Sequence, residues 1–265
     1  MLLQAGSTTL SIKVATARSR AALSSPQNRC TGMAGVTAED AEVCPLPPAP
    51  VTREVVSDHP IFTESIRRIR LLLGETGLDP LQQQVLERLV HSSGDPGLAP
   101  LLRFSAGACE QGLAALCAGA TILTDTAMAA AAVTPMARRT GGNPVCGLLD
   151  WAPARSPAGS TRSAAAMVSA WPELTAQAAA ADKPMPLVLV GSAPTALEQL
   201  LDQWQAGAPA PSLVIGMPVG FVGVPESKRR LAATELAQIR LEGTRGGAGL
   251  VGAACNALLR AAAMP

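Results

Sequence analysis

The sequence predicts one α/β domain, a mainly parallel sheet covered by helices on both faces in a three-layer, Rossmann-like arrangement, behind a disordered N-terminal extension. Two observations carry this. Short runs such as Leu187–Val190 and Ser212–Ile215 are almost continuously apolar, the mark of strands buried on both faces. These runs alternate with longer amphipathic stretches, which is the order of a parallel sheet with crossover helices.

Taken in order, residues 1–54 form the extension and residues 55–265 the domain. Lys13, Arg18, Arg20 and Arg29 precede the first acid, Glu39, in a Ser/Thr/Ala-rich stretch, and Pro45–Pro50 is an extended linker. A transit peptide, a disordered tail and a start placed upstream of Met33 are alternatives here. His59-Pro60 then opens a helix whose apolar stripe is Phe62, Ile66, Ile69 and Leu73. Asp79 caps a second helix over Leu81–His91, with Pro80 in its first turn and Gly94 beyond its end. Pro100–Gly119 reads as a third helix. Strands are expected at Ala120–Thr124, Val145–Leu149, Leu187–Val190, Ser212–Ile215 and Ile239–Leu241. Helices are expected through Met128–Ala132, over Thr161–Gln177, over Thr195–Gln205, from Glu226 through Leu236, and over Gly246–Arg260.

Composition excludes several classes. With Phe 3, Trp 3 and Tyr 0, the core must be built from Ala, Leu, Val and Met. A formal net charge of +1 gives no global field to recruit nucleic acid or a membrane surface, so an anionic ligand must be held by local arginines. Six cysteines without a C-x-x-C pair, and only two histidines, argue against a zinc site and for buried free thiols in a reducing cytosol. The uncharged stretch Gly207–Pro225 is broken by prolines and glycines and does not read as a membrane span.

Several stretches suit chemistry. His91 sits at a helix C-terminus, where the dipole favours the imidazolium, a proton donor near neutral pH. Arg88, one turn earlier, shares its face, and its charge opposes that form. The alternative is a histidine that only caps the helix. Thr161-Arg162-Ser163 opens a helix with hydroxyls and a guanidinium, suited to a carboxylate or phosphate. Gly191–Thr195 is a strand-to-helix turn that matches a nucleotide-binding loop only in part. Gly216–Lys228, broken by Pro218, Gly220, Gly223 and Pro225, is a rigid apolar turn beyond a strand end and a candidate pocket wall.

Together, LVHSSGD at 89–95, ILTDTAM at 122–128, STRSAAA at 160–166, VGSAPTAL at 190–197, Gly216–Lys228 and Gly243–Leu259 resemble the precorrin-8X (cobalt-precorrin-8) methylmutase family. The resemblance spans about Val55 to Arg260. It implies an isomerase that moves a methyl group between neighbouring ring C carbons of a tetrapyrrole, giving hydrogenobyrinate or cobyrinate, with no redox cofactor and no methyl donor. It also implies a cytoplasmic homodimer with the pocket near the subunit interface, and it places His91 as the general acid. The expected substrate contacts are Ser65, Arg88, Asp125, Met128, Arg162, Ser163, Ala193, Thr195 and Lys228. Ser160 and Ser192 stand where asparagine is usual, and Pro225 replaces a small residue. A non-catalytic corrinoid-binding protein and a nucleotide-binding α/β enzyme are the competing functions.

Overall fold

In the computed structural model of the chain, residues 59–263 are described, so the extension and the domain's first residues lie outside the described residues. The elements run α1 (Pro60–Leu73), α2 (Pro80–Ser93), β1 (Leu102–Phe104), α3 (Ala108–Cys117), β2 (Ile122–Thr124), α4 (Ala127–Arg139), β3 (Val145–Gly147), α5 (Arg162–Ala180), β4 (Leu187–Val190), α6 (Pro194–Gln205), β5 (Leu213–Gly216), α7 (Val224–Ala232), β6 (Gln238–Leu241) and α8 (Ala248–Ala263). The strands form one six-stranded sheet in the order β1-β6-β5-β4-β2-β3. Every neighbouring pair is parallel except β1 with β6.

Strand alternation builds three layers. Leu187 and Leu189 of β4, with Leu213 and Ile215 of β5, join the core formed with α1, α2, α3, α4 and α8. Val188, Val190 and Val214 point to the opposite face, where α5, α6 and α7 supply Met167, Trp171, Leu197, Leu200 and Leu231. With so few aromatic residues, helices approach the sheet on alanine and leucine.

The third expected helix is divided. Pro96–Leu101 is a 3-10 segment, Leu102–Phe104 is the antiparallel edge strand, and only Ala108–Cys117 is α-helical. Helical spacing in Leu101, Leu102 and Phe104 is indistinguishable from a three-residue strand, and only pairing with Ile239–Leu241 reveals it. Val145–Leu149 is likewise shorter as a strand, turning into a 3-10 segment at Leu148. Pro172 is exposed inside α5, which continues to Ala180. Pro225 sits in the first turn of α7, where no backbone donor is needed. Of the thiols, Cys109 and Cys255 are buried and burial pushes each pKa up to about 12, whereas Cys117 is exposed against expectation. Among the described residues no helix is long and apolar enough to cross a membrane.

From β2 the chain passes through α4 to β3 on one side, then returns through α5 to β4 on the other. The carboxyl ends of β2 and β4 therefore flank a topological switch point, where open α/β sheets form crevices. Asp125, at the end of β2, closes it from below. Its Oδ2 accepts three consecutive backbone N–H bonds, from Gly191 (3.0 Å), Ser192 (2.6 Å) and Ala193 (2.8 Å). α6 has no side-chain cap of its own, so Asp125 caps it from another strand and meets the positive end of its dipole. The same turn abuts the last helix: a Cβ on Gly191 would lie 2.7 Å from Ala248 N and 2.8 Å from Gly247 C.

Both contacts are testable by urea denaturation. Asp125→Ala strands the three N–H groups and should cost on the order of 3 kcal/mol, whereas Asp125→Asn keeps an acceptor oxygen and should cost less. Gly191→Ala should destabilise by about 1–3 kcal/mol by forcing α8 off the turn. In the same helix Gly249 has nothing within 4 Å of its Cβ position, so Gly249→Ala should stabilise by about 1 kcal/mol. Equal midpoints for the two glycine variants would refute the close-approach argument.

Candidate functional site

Two groups of the expected residues assemble. The first is built on α1 and α2, which lie antiparallel and are pinned by a bidentate pair: Arg70 Nε and Nη2 donate to Glu87 Oε1 (2.7 Å) and Oε2 (3.0 Å). Glu87 is buried, and Gln83 donates to it as well. With the helices so fixed, Ser65 Oγ lies 2.7 Å from His91 Nδ1. The His91 ring meets the Phe62 ring edge-on at 5.0 Å between centroids. The Arg88 guanidinium lies 4.7 Å from the same Phe62 centroid, and that of Arg260, near the end of α8, lies 5.3 Å from it. Burial, and then the charge of Arg88, lower the His91 pKa from its ordinary value. His59 has the structural role expected of it, with Nδ1 accepting from Ile61 N at the start of α1.

The second group lines the carboxyl edge of the sheet. Thr161 caps α5 by accepting from Ala164 N, and its hydroxyl also bonds Thr195 Oγ1 at 2.7 Å, joining the starts of α5 and α6. Arg162 is exposed, with Nε donating to Pro153 O, and Ser163 is half-buried beside it. Met128, in the first turn of α4, is 68% exposed. Ala193 sits in the turn held by Asp125.

The α2 end belongs to this same edge. Arg245, after β6, pairs with Asp95 Oδ2 at 3.0 Å and donates to Gly97 O at 3.2 Å. That ties the segment following His91 to the loop beyond the carboxyl end of β6.

Two expected contacts are turned toward the protein's own backbone. Asp125 is 2% exposed and spends one oxygen on the turn at 191–193. Lys228 is also 2% exposed, and its ammonium donates to Gly243 O (2.9 Å) and Arg245 O (2.6 Å). Burial lowers its pKa to about 8, so it is still mainly charged at neutral pH. Both residues shape loops at the edge. The Asp125 contact also answers the nucleotide reading of Gly191–Thr195: the backbone donors that would cradle a phosphate already hold a carboxylate. The serine at 192 is compatible with this arrangement because its contact to Asp125 is through the main chain.

Sequence reasoning did not single out Phe62 or Arg260. In the sequence Phe62 is a core residue of the α1 stripe, and Arg260 only the end of the last helix. No local spacing relates residue 62 to residue 260. The loop after β5 carries a further unforeseen feature: Phe221 and Val222 are 85% and 89% exposed, in a segment expected to be a pocket wall.

Comparison with known proteins shows the family. The family model for precorrin-8X methylmutase matches residues 60–261. Precorrin-8X methylmutase of Pseudomonas aeruginosa is 38% identical over 202 residues, covering 75% of this chain and 93% of that protein. Cobalt-precorrin-8 methylmutase of Synechocystis is 33% identical over 216 residues, covering 76% and 95%. The crystal structure of the precorrin-8X methylmutase of Thermus thermophilus superposes with a TM-score of 0.67 at 40% identity, covering 77% of this chain and 95% of that one. On the family model and these relatives together, the chain belongs to the precorrin-8X methylmutase family.

Proposed function

We propose that His91 lends the proton in this chain's reaction and that Ser65 positions it. The reaction is that of the family, an intramolecular methyl migration in corrin synthesis, which makes the chain an isomerase. One C–CH3 bond breaks and one forms on the neighbouring ring carbon, and the π electrons redistribute with no net oxidation. Protonating a ring nitrogen draws electron density toward it and eases that redistribution. The proton returns to the imidazole at the end of turnover, so nothing is consumed.

The observation that carries this reading is the 2.7 Å contact between Ser65 Oγ and His91 Nδ1. It leaves Nε2 as the nitrogen for the substrate. A hydroxyl serves both states of the ring: it donates to Nδ1 of the neutral imidazole, keeping the proton on Nε2, and accepts from Nδ1–H of the imidazolium. Arg88 lies beside the ring. In the free protein its charge disfavours the imidazolium, whereas a bound polycarboxylate would offset that charge and favour it. Substrate thereby arms its own acid. Arg162, Ser163, Thr195, Met128 and Ala193 form the edge against which the macrocycle would rest, and Asp125 and Lys228 hold the loops of that edge. A subunit-interface pocket in a homodimer, a cytoplasmic location and the boundary at residue 55 belong to the same proposal.

The tests are kinetic. His91→Ala should fold and bind the corrinoid yet lose about 10²–10⁴-fold in kcat. Full turnover by this variant would remove His91 from the mechanism, and binding without turnover by the parent chain would make it a carrier. Ser65→Ala should lower kcat up to about tenfold, the worth of one ordinary hydrogen bond.

The pH profile has a defined sign. An acid with a lowered pKa in the free protein makes kcat/KM fall as pH rises through a value below the ordinary histidine one, while the corresponding limb of kcat should lie at higher pH. Arg88→Gln should move the kcat/KM limb upward. Superimposable limbs in parent and Arg88→Gln would contradict the arming argument.

A further inference from the structure

We propose that Arg245 and Asp95 are positioning residues for the reaction: their contact sets the end of α2, and with it His91, in register with the sheet edge on which the macrocycle would rest. This rests on the reading of His91 as the proton donor and adds two residues that lie outside the expected contacts.

The contact has an anchored side, the loop from Gly243 to Gly247 beyond the carboxyl end of β6. Gly247 N donates to Met217 O (2.9 Å), and Gly220 N donates to Thr244 O (3.1 Å). A Cβ on Gly246 would collide with Met217 O, so the loop lies directly against the segment that follows β5. Lys228 fastens it from α7, its buried ammonium donating to the carbonyls of Gly243 and Arg245 on either side of Thr244. A buried charge needs such partners, and here they are main-chain atoms whose places it fixes. The Arg245 side chain therefore leaves from a backbone held on two sides.

The other side is the last turn of α2. One nitrogen, Arg245 Nη1, meets Asp95 Oδ2 at 3.0 Å and Gly97 O at 3.2 Å. Asp95 Oδ1 accepts from Gly97 N at 2.9 Å, which orients the carboxylate. Asp95 N donates to Ser93 Oγ (3.1 Å), and that hydroxyl donates to Leu89 O (2.8 Å). Gly94, left-handed at φ 67°, closes the helix by donating to Val90 O. His91 lies within the turn that these bonds hold.

The two side chains are 51% and 41% exposed, and an exposed ion pair of this kind adds little to stability. What it supplies is distance. The imidazole stands on α2 and the macrocycle would lie on the sheet edge, so proton transfer depends on how those two parts are set, and small misplacements are costly. Two other roles for Arg245 are a plain structural brace and a direct contact to a corrinoid carboxylate. A brace shows in the melt. A direct contact belongs to Arg245 alone, whereas a positioning contact belongs equally to Asp95.

The experiment is steady-state kinetics of the full chain with precorrin-8X, beside thermal melts and absorption titrations with hydrogenobyrinic acid. The variants are Arg245→Gln, Asp95→Asn, the two combined, Arg245→Lys and Gly97→Ala. Arg245→Gln and Asp95→Asn should each lower kcat about tenfold to a hundredfold, with KM and affinity for the acid little changed and melts within a few degrees of the parent's. The combined variant should be no slower than the slower single one, because both changes break one contact. Arg245→Lys should recover most of the loss, since a single nitrogen makes both contacts and an ammonium can replace it. A Cβ on Gly97 would lie 3.1 Å from Arg245 Nη1 and 2.9 Å from Asp95 Oδ1, so Gly97→Ala displaces the pair with both charges kept and should lower kcat severalfold. Parent-like kcat in both Arg245→Gln and Asp95→Asn overturns this inference alone. A raised KM in Arg245→Gln that Asp95→Asn does not share overturns it in favour of a direct contact, and losses that track lowered melts overturn it in favour of a brace. Full turnover by His91→Ala overturns the proton-donor reading, and this inference with it.

Discussion

One carboxylate oxygen organises the carboxyl edge of the sheet. Asp125 Oδ2 gathers the N–H groups of Gly191, Ser192 and Ala193 and so joins the end of β2 to the turn after β4. Burial raises the Asp125 pKa, and the three backbone donors pull against that rise. The turn Asp125 shapes meets α8 so closely that residue 191 must lack a side chain. It also positions the start of α6, where Thr195 meets Thr161 at the start of α5. Three helix starts and two strand ends are registered through one side chain.

The opposite end of the site depends on different physics. The α1–α2 hairpin is locked by the Arg70–Glu87 pair, whose carboxylate is buried. Removing Arg70 would leave the buried Glu87 carboxylate without its ionic partner, so the pair ties the setting of α1 to that of α2. That setting brings Ser65 to His91 and places Phe62 between a histidine and two arginines. In a chain with only three phenylalanines, one is spent on holding polar groups in place.

A core of small residues suits this division. Alanine and leucine faces let the helices approach the sheet, and the precise work passes to backbone contacts at the strand ends. Lys228 shows the same economy: a buried ammonium between the carbonyls of Gly243 and Arg245 shapes the loop that leads into α8. That loop reaches through Arg245 to Asp95, just beyond His91, and links the two groups of candidate residues along one edge.

The sequence by itself determined the layer architecture, the long helices, the buried parallel strands and the family. These depend on apolar periodicity, on prolines and glycines at element ends, and on contiguous motifs, all of which are local. It also determined that His91 ends a helix with Arg88 one turn behind. Tertiary structure alone decided the edge strand Leu102–Phe104, whose three residues carry too little pattern to be told from a helix before β6 pairs with them. It decided that Asp125 and Lys228 face the backbone, since a charged residue in a motif looks the same whether its partner is a ligand or a carbonyl. It set His91 toward the neutral form, because packing buries part of the ring beside the Arg88 guanidinium, a burial that the sequence does not encode. And it brought Phe62 beside Arg260, 198 positions apart, by packing α1, α2 and α8 around one groove, a proximity no sequence spacing encodes.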